Sequence, residues 1–283
     1  MKWFMPFIFL LILISFQNCS NVNLSPVEEP LQTNLSKPIN KLCAPQGSSF
    51  GAPMRFVFVV DMSMSNLGTL NANTFDNVTH YSINSKDGPS DPNGDRFLQI
   101  KKFITDCGGS ENTGYSVIGF SASTLFSTDN SCLSPFESQQ KAIQSVDGLK
   151  GLQDHDKKIP GQERVNPYYL QGETYYSVGL GCLKSKIQEE ISLSTTEKPI
   201  YNVFFITDGM TTDAVENQKY SQIINEIQLS TSASAGGFNF YPVFYTSPGA
   251  KNQGLEQTKA LTVLDSLAAL TNPKQKTILL NNI

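Results

Sequence analysis

Phe56-Val57-Phe58-Val59-Val60-Asp61-Met62-Ser63-Met64-Ser65 is an apolar run that ends in a cluster of oxygens. Five β-branched and aromatic residues in succession read as a buried strand. The loop leaving it carries one carboxylate, Asp61, and two hydroxyls, Ser63 and Ser65, at alternate positions. Hard oxygen donors in this spacing suit a hard divalent cation. Two of the three oxygens are neutral, so an ion held there would keep much of its charge and attract a carboxylate from outside. That favours metal-dependent binding over catalysis.

Downstream the pattern alternates between strand and helix. Asp95–Asp106 places Phe97, Ile100, Phe103 and Ile104 on one helical face. Tyr115–Ser121 and Thr124–Ser127 read as a strand pair, the second antiparallel at the sheet edge. Ser134-Pro135 is expected to cap and start a helix burying Phe136, Ile143 and Val146. Thr174–Ile191, Asp213–Leu229 and Leu255–Leu270 read as helices, with Asp213 and Glu216 spaced as a capping pair. Ile200–Ile206, Pro242–Thr246 and Thr277–Leu280 read as strands, with proline at the first position of its strand. Strands alternating with helices imply an α/β fold: a doubly wound, mostly parallel central sheet flanked by helices. Two connections, 64–93 and 149–172, are long for loops, which marks them as functional or irregular segments.

Three separated pieces point to one edge of such a sheet. Asp61-x-Ser63-x-Ser65 follows the first strand. Gly172-Glu173-Thr174 opens a helix, and Phe204-Phe205-Ile206-Thr207-Asp208-Gly209 puts an aspartate at the end of a second buried strand. Strand ends of this kind gather along the carboxyl edge, where ligands bind. The combination resembles the von Willebrand factor A (vWA) domain and its metal-ion-dependent adhesion site (MIDAS). Val117-Ile118-Gly119-Phe120-Ser121 is similar to the family's second strand, and Ser90-Asp91-Pro92-Asn93 to the approach to its first helix. The resemblance implies that Asp61, Ser63, Ser65, Thr174 and Asp208 hold Mg2+ (or Mn2+ or Ca2+). It also implies that a protein ligand completes the coordination with a carboxylate. There are departures. Met62 and Met64 occupy the variable positions, the second usually glycine, and are expected to add bulk beside the ion. The 64–93 insertion follows at once and is placed to cover the site. The family's last helix is not evident after Thr277–Leu280.

The N-terminus reads differently. Lys2 precedes an apolar segment, Trp3–Phe16, of signal-peptide length and short for a membrane span. Phe16-Gln17-Asn18-Cys19 resembles a bacterial lipoprotein signal, although Gln17 and Asn18 replace the usual small residues. The expected organisation is a signal peptide over 1–18, a flexible Pro-, Asn- and Ser-rich tether over 19–50, and the vWA domain over 51–283. Cys19 is the candidate lipidation site, and membrane contact is expected through that lipid alone. The place implied is the bacterial cell envelope, at the outer membrane or periplasmic face; without lipid, the chain is secreted.

If Cys19 carries lipid, Cys43, Cys107, Cys132 and Cys182 remain as an even set, enough for two disulfides in an exported chain. Cys107 ends the first helix, at the edge opposite the metal. An antiparallel Thr124–Ser127 would return Cys132 to that edge. Cys107–Cys132 is therefore the expected pair, leaving Cys43–Cys182.

Composition excludes some classes. Removing 1–18 leaves 20 Lys and Arg against 25 Asp and Glu, a net charge of −5. No basic stripe suggests nucleic acid. Asp87, Asp91, Asn93 and Asp95 lack the glycine and last acid of an EF-hand, and read as an Asx turn capping the first helix. Asp154-His155-Asp156 reads as a solvated turn. Gly119-Phe120-Ser121-Ala122-Ser123 lacks the closing glycine of a nucleophile elbow, and nothing argues for an enzyme. Tyr168 and Tyr169 are candidate partner anchors, while Tyr176 reads as core. The function expected is a lipid-anchored binding module. Against it stand an envelope scaffold whose metal only stabilises loops, and an accessory subunit of a metal-dependent complex.

Overall fold

The 56–60 run becomes β1 (Met54–Asp61), hydrogen-bonded on both sides, to β4 (Thr113–Phe120) and β5 (Ile200–Thr207). β6 (Gly237–Thr246) and β7 (Ile278–Asn281) extend the sheet in the order β4-β1-β5-β6-β7, with every pairing parallel. This computed structural model describes residues 52–75, 78–84, 88–108, 112–121, 136–157, 173–193, 198–209, 211–212, 217–234, 236–247, 250, 252, 254–271 and 276–281. Outside them lie the expected signal peptide and tether, Cys19, Cys43, Cys132, Tyr168 and Tyr169, the expected capping pair Asp213–Glu216, and the antiparallel edge strand expected at Thr124–Ser127. Next to β4, among the described residues, stands one antiparallel bridge, Tyr115 to Glu137.

Parallel strands need both faces covered, because each crossover lays a helix on the sheet. On one face Phe56, Phe58 and Val60 pack against α1 (Asp95–Cys107) and α2 (Gln139–Lys157). Phe103 of α1 stands edge-on to Phe56, Phe58 and Phe204, with centroids 5.4, 5.4 and 4.8 Å away. Such pairs add about 0.5–1.5 kcal/mol each beyond area burial. On the other face Val57 and Val59 meet α3 (Tyr176–Leu193), α4 (Asn217–Ser234) and α5 (Leu255–Thr271). The helical face expected over 95–106 is the buried face of α1. Asp91 caps that helix, its carboxylate accepting the Asp95 N–H at 2.7 Å and the Arg96 N–H at 3.3 Å.

Four details differ from the sequence reading. The helix expected to begin at Ser134-Pro135 begins at Gln139, because Glu137 and Tyr115 exchange two backbone hydrogen bonds that hold the chain extended. That helix runs on to Lys157, so 149–157 is not loop, and Asp154 lies in a helix paired with Lys150 one turn earlier. The 64–93 insertion is ordered as a 3-10 turn, Met64–Asn66, and an antiparallel ribbon of β2 (Thr69–Phe75) and β3 (Val78–Asn84). Pro242 lies inside β6, not at its start. β7 joins only from Val243, so β6 is still unpaired on that side at the proline, where a missing N–H is tolerated.

Cys107 packs against the first core and Cys182 lies in the second, so the two do not pair with each other. Both are disulfide-bonded. No described helix is long and apolar enough to cross a membrane.

Candidate metal centre

β1 is the strand at which the winding reverses. The chain leaves it for β4 on one side and then crosses to β5 on the other. Ligand crevices form outside the carboxyl ends of strands at such a point. Asp61 closes β1, Ser121 follows β4, and Asp208 follows β5. The sheet itself therefore brings Asp61 and Asp208 to one edge.

Asp61 is fully buried, and both of its oxygens are engaged. Oδ1 accepts the Ser63 N–H at 2.8 Å, and Oδ2 accepts the Thr207 hydroxyl at 2.7 Å. The first bond curls the chain so that the Ser63 and Ser65 hydroxyls lie 2.8 Å apart. Ser63 is buried and Ser65 exposed, as expected of a loop opening outward. Asn66 pins the curl from behind. Its amide donates to the Ser63 carbonyl at 2.7 Å, and its Oδ1 accepts from the Tyr245 hydroxyl.

Asp208 is also buried. Its Oδ2 accepts the Ser90 hydroxyl, whereas Oδ1 has no hydrogen-bond partner. Asn252 fixes the backbone here, donating to the carbonyls of Asp208 and Tyr245. Thr174 precedes α3 by two positions and is tied to the loop after β5. Its N–H donates to Thr212 Oγ1 at 2.8 Å, and its carbonyl accepts the Thr212 N–H at 2.8 Å. The Tyr175 N–H donates to the Ser121 carbonyl at 3.1 Å, and the Tyr176 hydroxyl to the Gly209 carbonyl at 2.5 Å. Thr174 thus stands between the ends of β4 and β5, the two neighbours of Asp61's strand.

The electrostatics follow from burial. Desolvation pushes the Asp61 carboxyl up from the ordinary carboxylate range, against hydrogen bonds from Thr207 and Ser63. Asp208 is pushed up to about 7, first by burial and then by the charge of Asp61, while the hydroxyls of Ser90 and Ser65 and the Arg96 guanidinium oppose the rise. Arg96 is itself buried. It donates to the Asp91 carboxylate and to Gln153 Oε1 at 2.7 Å, and lies over the Phe97 and Tyr245 rings at 4.2 and 5.3 Å. Three buried carboxylates, Asp61, Asp91 and Asp208, therefore share one buried guanidinium. With all three ionised the cluster is short of positive charge, which a divalent ion would offset.

Asp61, Ser63, Ser65, Thr174 and Asp208 are the residues that could hold such an ion. The donor set is all oxygen, with one buried carboxylate oxygen unpaired, and this fits a hard divalent cation. Met62 does not stand as bulk beside the candidate site. It is buried in the first core, with Arg96 Nη2 3.7 Å from its sulfur. Gly119 makes room for it, since a Cβ at Gly119 would stand 3.3 Å from Met62 Cγ. The Met64 side chain lies outside what is described. Sequence reasoning missed the supporting residues Thr207, Ser90, Asn66, Arg96, Tyr245 and Asn252. Thr207 had a signal, being next to Asp208. Ser90 had none, because nothing local says it will reach an aspartate 118 positions away.

No family model and no curated protein matches this chain. Among solved structures it is similar to proximal thread matrix protein 1 from the mussel byssus, in a second crystal form, with 13% identity and a TM-score of 0.44 over 82% of this chain and 44% of that one. Two further structures of the mussel protein, one with a zinc-occupied MIDAS motif, give 14% identity and a TM-score of 0.39, over 82% of this chain and 41% of theirs. The chain spans less than half the length of these structures, and likeness at this level carries no argument about function.

Proposed function

We propose that this chain is an exported, lipid-anchored binding module of the vWA type. It recognises a protein ligand through a divalent ion held by Asp61, Ser63, Ser65, Thr174 and Asp208, and it is not an enzyme. The observation that carries the reading is the buried pair Asp61 and Asp208, with Asp208 Oδ1 left without a hydrogen-bond donor. A buried carboxylate oxygen without a donor is costly unless a cation takes that place. The chain's residues orient the site: Asn66 curls the serine loop, Thr207 and the Ser63 N–H aim Asp61, and Asn252 fixes the Asp208 backbone. The ion, Mg2+ in the first instance, would supply positive charge for a ligand carboxylate arriving from the exposed Ser65 side. Cys19 would carry the lipid that holds the module to the envelope.

The experiment is a thermal melt of the EDTA-stripped chain, titrated with Mg2+, beside Asp208→Ala. Wild type is expected to gain stability as RT ln(1 + [Mg2+]/Kd), about 2.7 kcal/mol at one hundred times Kd. Asp208→Ala should gain little. Equal gains in both would sink the assignment. The scaffold reading makes a different prediction for partners: capture of a partner that survives both chelation and Asp61→Ala would favour it.

A further inference from the structure

Resting on that metal reading, we infer that Ser90 is an ion-selectivity determinant contributed by the insertion: by holding Asp208 Oδ2, it fixes the orientation of that carboxylate and keeps it from turning to chelate an ion with both oxygens. Ser90 is buried in the segment that follows the β2–β3 ribbon. Its hydroxyl donates to Asp208 Oδ2 and lies 3.3 Å from the Ser65 carbonyl, and its N–H donates to that same carbonyl at 3.1 Å. One residue thus ties a candidate ligand loop after β1 to a candidate ligand after β5. The adjacent Asp91 N–H donates to the Asn66 carbonyl at 3.2 Å, and Pro89 is held by the Ser247 hydroxyl at 2.8 Å, so Ser90 sits on a fixed backbone.

The consequence is a constraint on coordination. Asp61 has one oxygen held by the Ser63 N–H and the other by Thr207. Asp208 has one held by Ser90 and one open. Each carboxylate is thus held in one orientation: a hydrogen-bonded oxygen keeps a lone pair for an ion, but the group is not free to rotate. Ca2+ takes six to eight oxygens and readily uses bidentate carboxylates, whereas Mg2+ demands near-octahedral geometry at single oxygens and keeps waters. A centre whose carboxylates are held from rotating into bidentate chelation would favour the smaller ion. Removing Ser90 frees Asp208 to turn and chelate with both oxygens, which helps Ca2+ and not Mg2+.

The test measures Mg2+ and Ca2+ affinities of the EDTA-stripped full chain in detergent, by calorimetry, for wild type, Ser90→Ala and Ser90→Thr. Supporting residues of a metal site are typically worth 10–100-fold in affinity. Ser90→Ala is expected to lose about tenfold in Mg2+ affinity while Ca2+ holds or tightens, and Ser90→Thr, which keeps the hydroxyl, should restore the wild-type ratio. Equal weakening of both ions would mean that Ser90 only props the loop, and would overturn the inference. An unchanged ratio in Ser90→Ala would overturn it too. Wild type binding neither ion would fail the metal reading itself and this inference with it, and that result is distinct from the other two.

Discussion

Asp208 carries its proton unusually far up the pH scale because both water and positive charge are scarce around it. Burial comes first among the causes, then the neighbouring Asp61. The sign of the consequence follows from linkage. Both carboxyls are raised in the folded chain, so between the ordinary carboxylate value of 3.8 and about 7 the folded state holds more protons than the unfolded state. Stability then falls as pH rises through that window, by up to about 1.4 kcal/mol per pH unit for one such group. In EDTA the domain is expected to be less stable at pH 8 than at pH 5. With saturating Mg2+ the ion replaces the proton and this loss should shrink or reverse. Chemical denaturation at the two pH values, with and without the ion, measures both. Coincident curves in EDTA would mean that the pair is not strained by its own charge. Arg96 belongs to the same scale: its guanidinium hydrogen-bonds Asp91 and Gln153, and its charge opposes the rise at Asp208 without cancelling it.

Elements were legible in the sequence where the hydrophobic period was strong. β1, β5, α1 and α5 lie within two residues of their expected ends, because their apolar spacing is also their buried face. The failures have physical causes. α2 begins at Gln139 because a bridge between Glu137 and Tyr115, distant in sequence, outweighs the local cap signal of Ser134-Pro135. The β2–β3 ribbon is not legible as strand because Asn, Thr and Ser dilute its pattern. A two-stranded ribbon draws little on burial in any case. Gly119 shows how tightly two elements depend on one missing side chain. A Cβ there would lie 2.6 Å from Leu149 Cδ2 of α2 as well as near Met62. Gly119→Ala is therefore expected to destabilise the domain by about 1–3 kcal/mol through overpacking. Gly148→Ala, on a helix position with nothing within 4 Å, should be neutral or slightly stabilising. Urea midpoints of the two variants give the comparison, and equal midpoints would contradict the packing argument.

For the whole molecule, covalent structure rests on which cysteines join. Cys107 and Cys182 serve opposite faces of the sheet and are both oxidised. The expected partners, Cys132 and Cys43, lie outside the described residues. Non-reducing peptide mapping is expected to recover Cys107–Cys132 and Cys43–Cys182. A Cys43–Cys107 crosslink would refute that pairing. The loop closed by Cys107–Cys132, about 25 residues, is worth up to about 3 kcal/mol on the chain-entropy account, so reduction should lower the melting temperature.

By itself the sequence determined the class of fold and singled out the candidate oxygens. A buried strand, an amphipathic helix and an Asp-x-Ser-x-Ser loop are written in local spacing, and local spacing is set by the chain's own periodicity. It also identified Thr174 and Asp208, whose places after strand and before helix put them on a sheet edge. Only the tertiary structure decided what surrounds those oxygens. The reach of Ser90 to Asp208, the clamp of Thr207 on Asp61, and the retreat of Met62 into the core beside Gly119 all join positions far apart in the chain. Those contacts depend on strand order and helix docking, which no local pattern encodes. They fix the orientation of the two buried carboxylates at the candidate site.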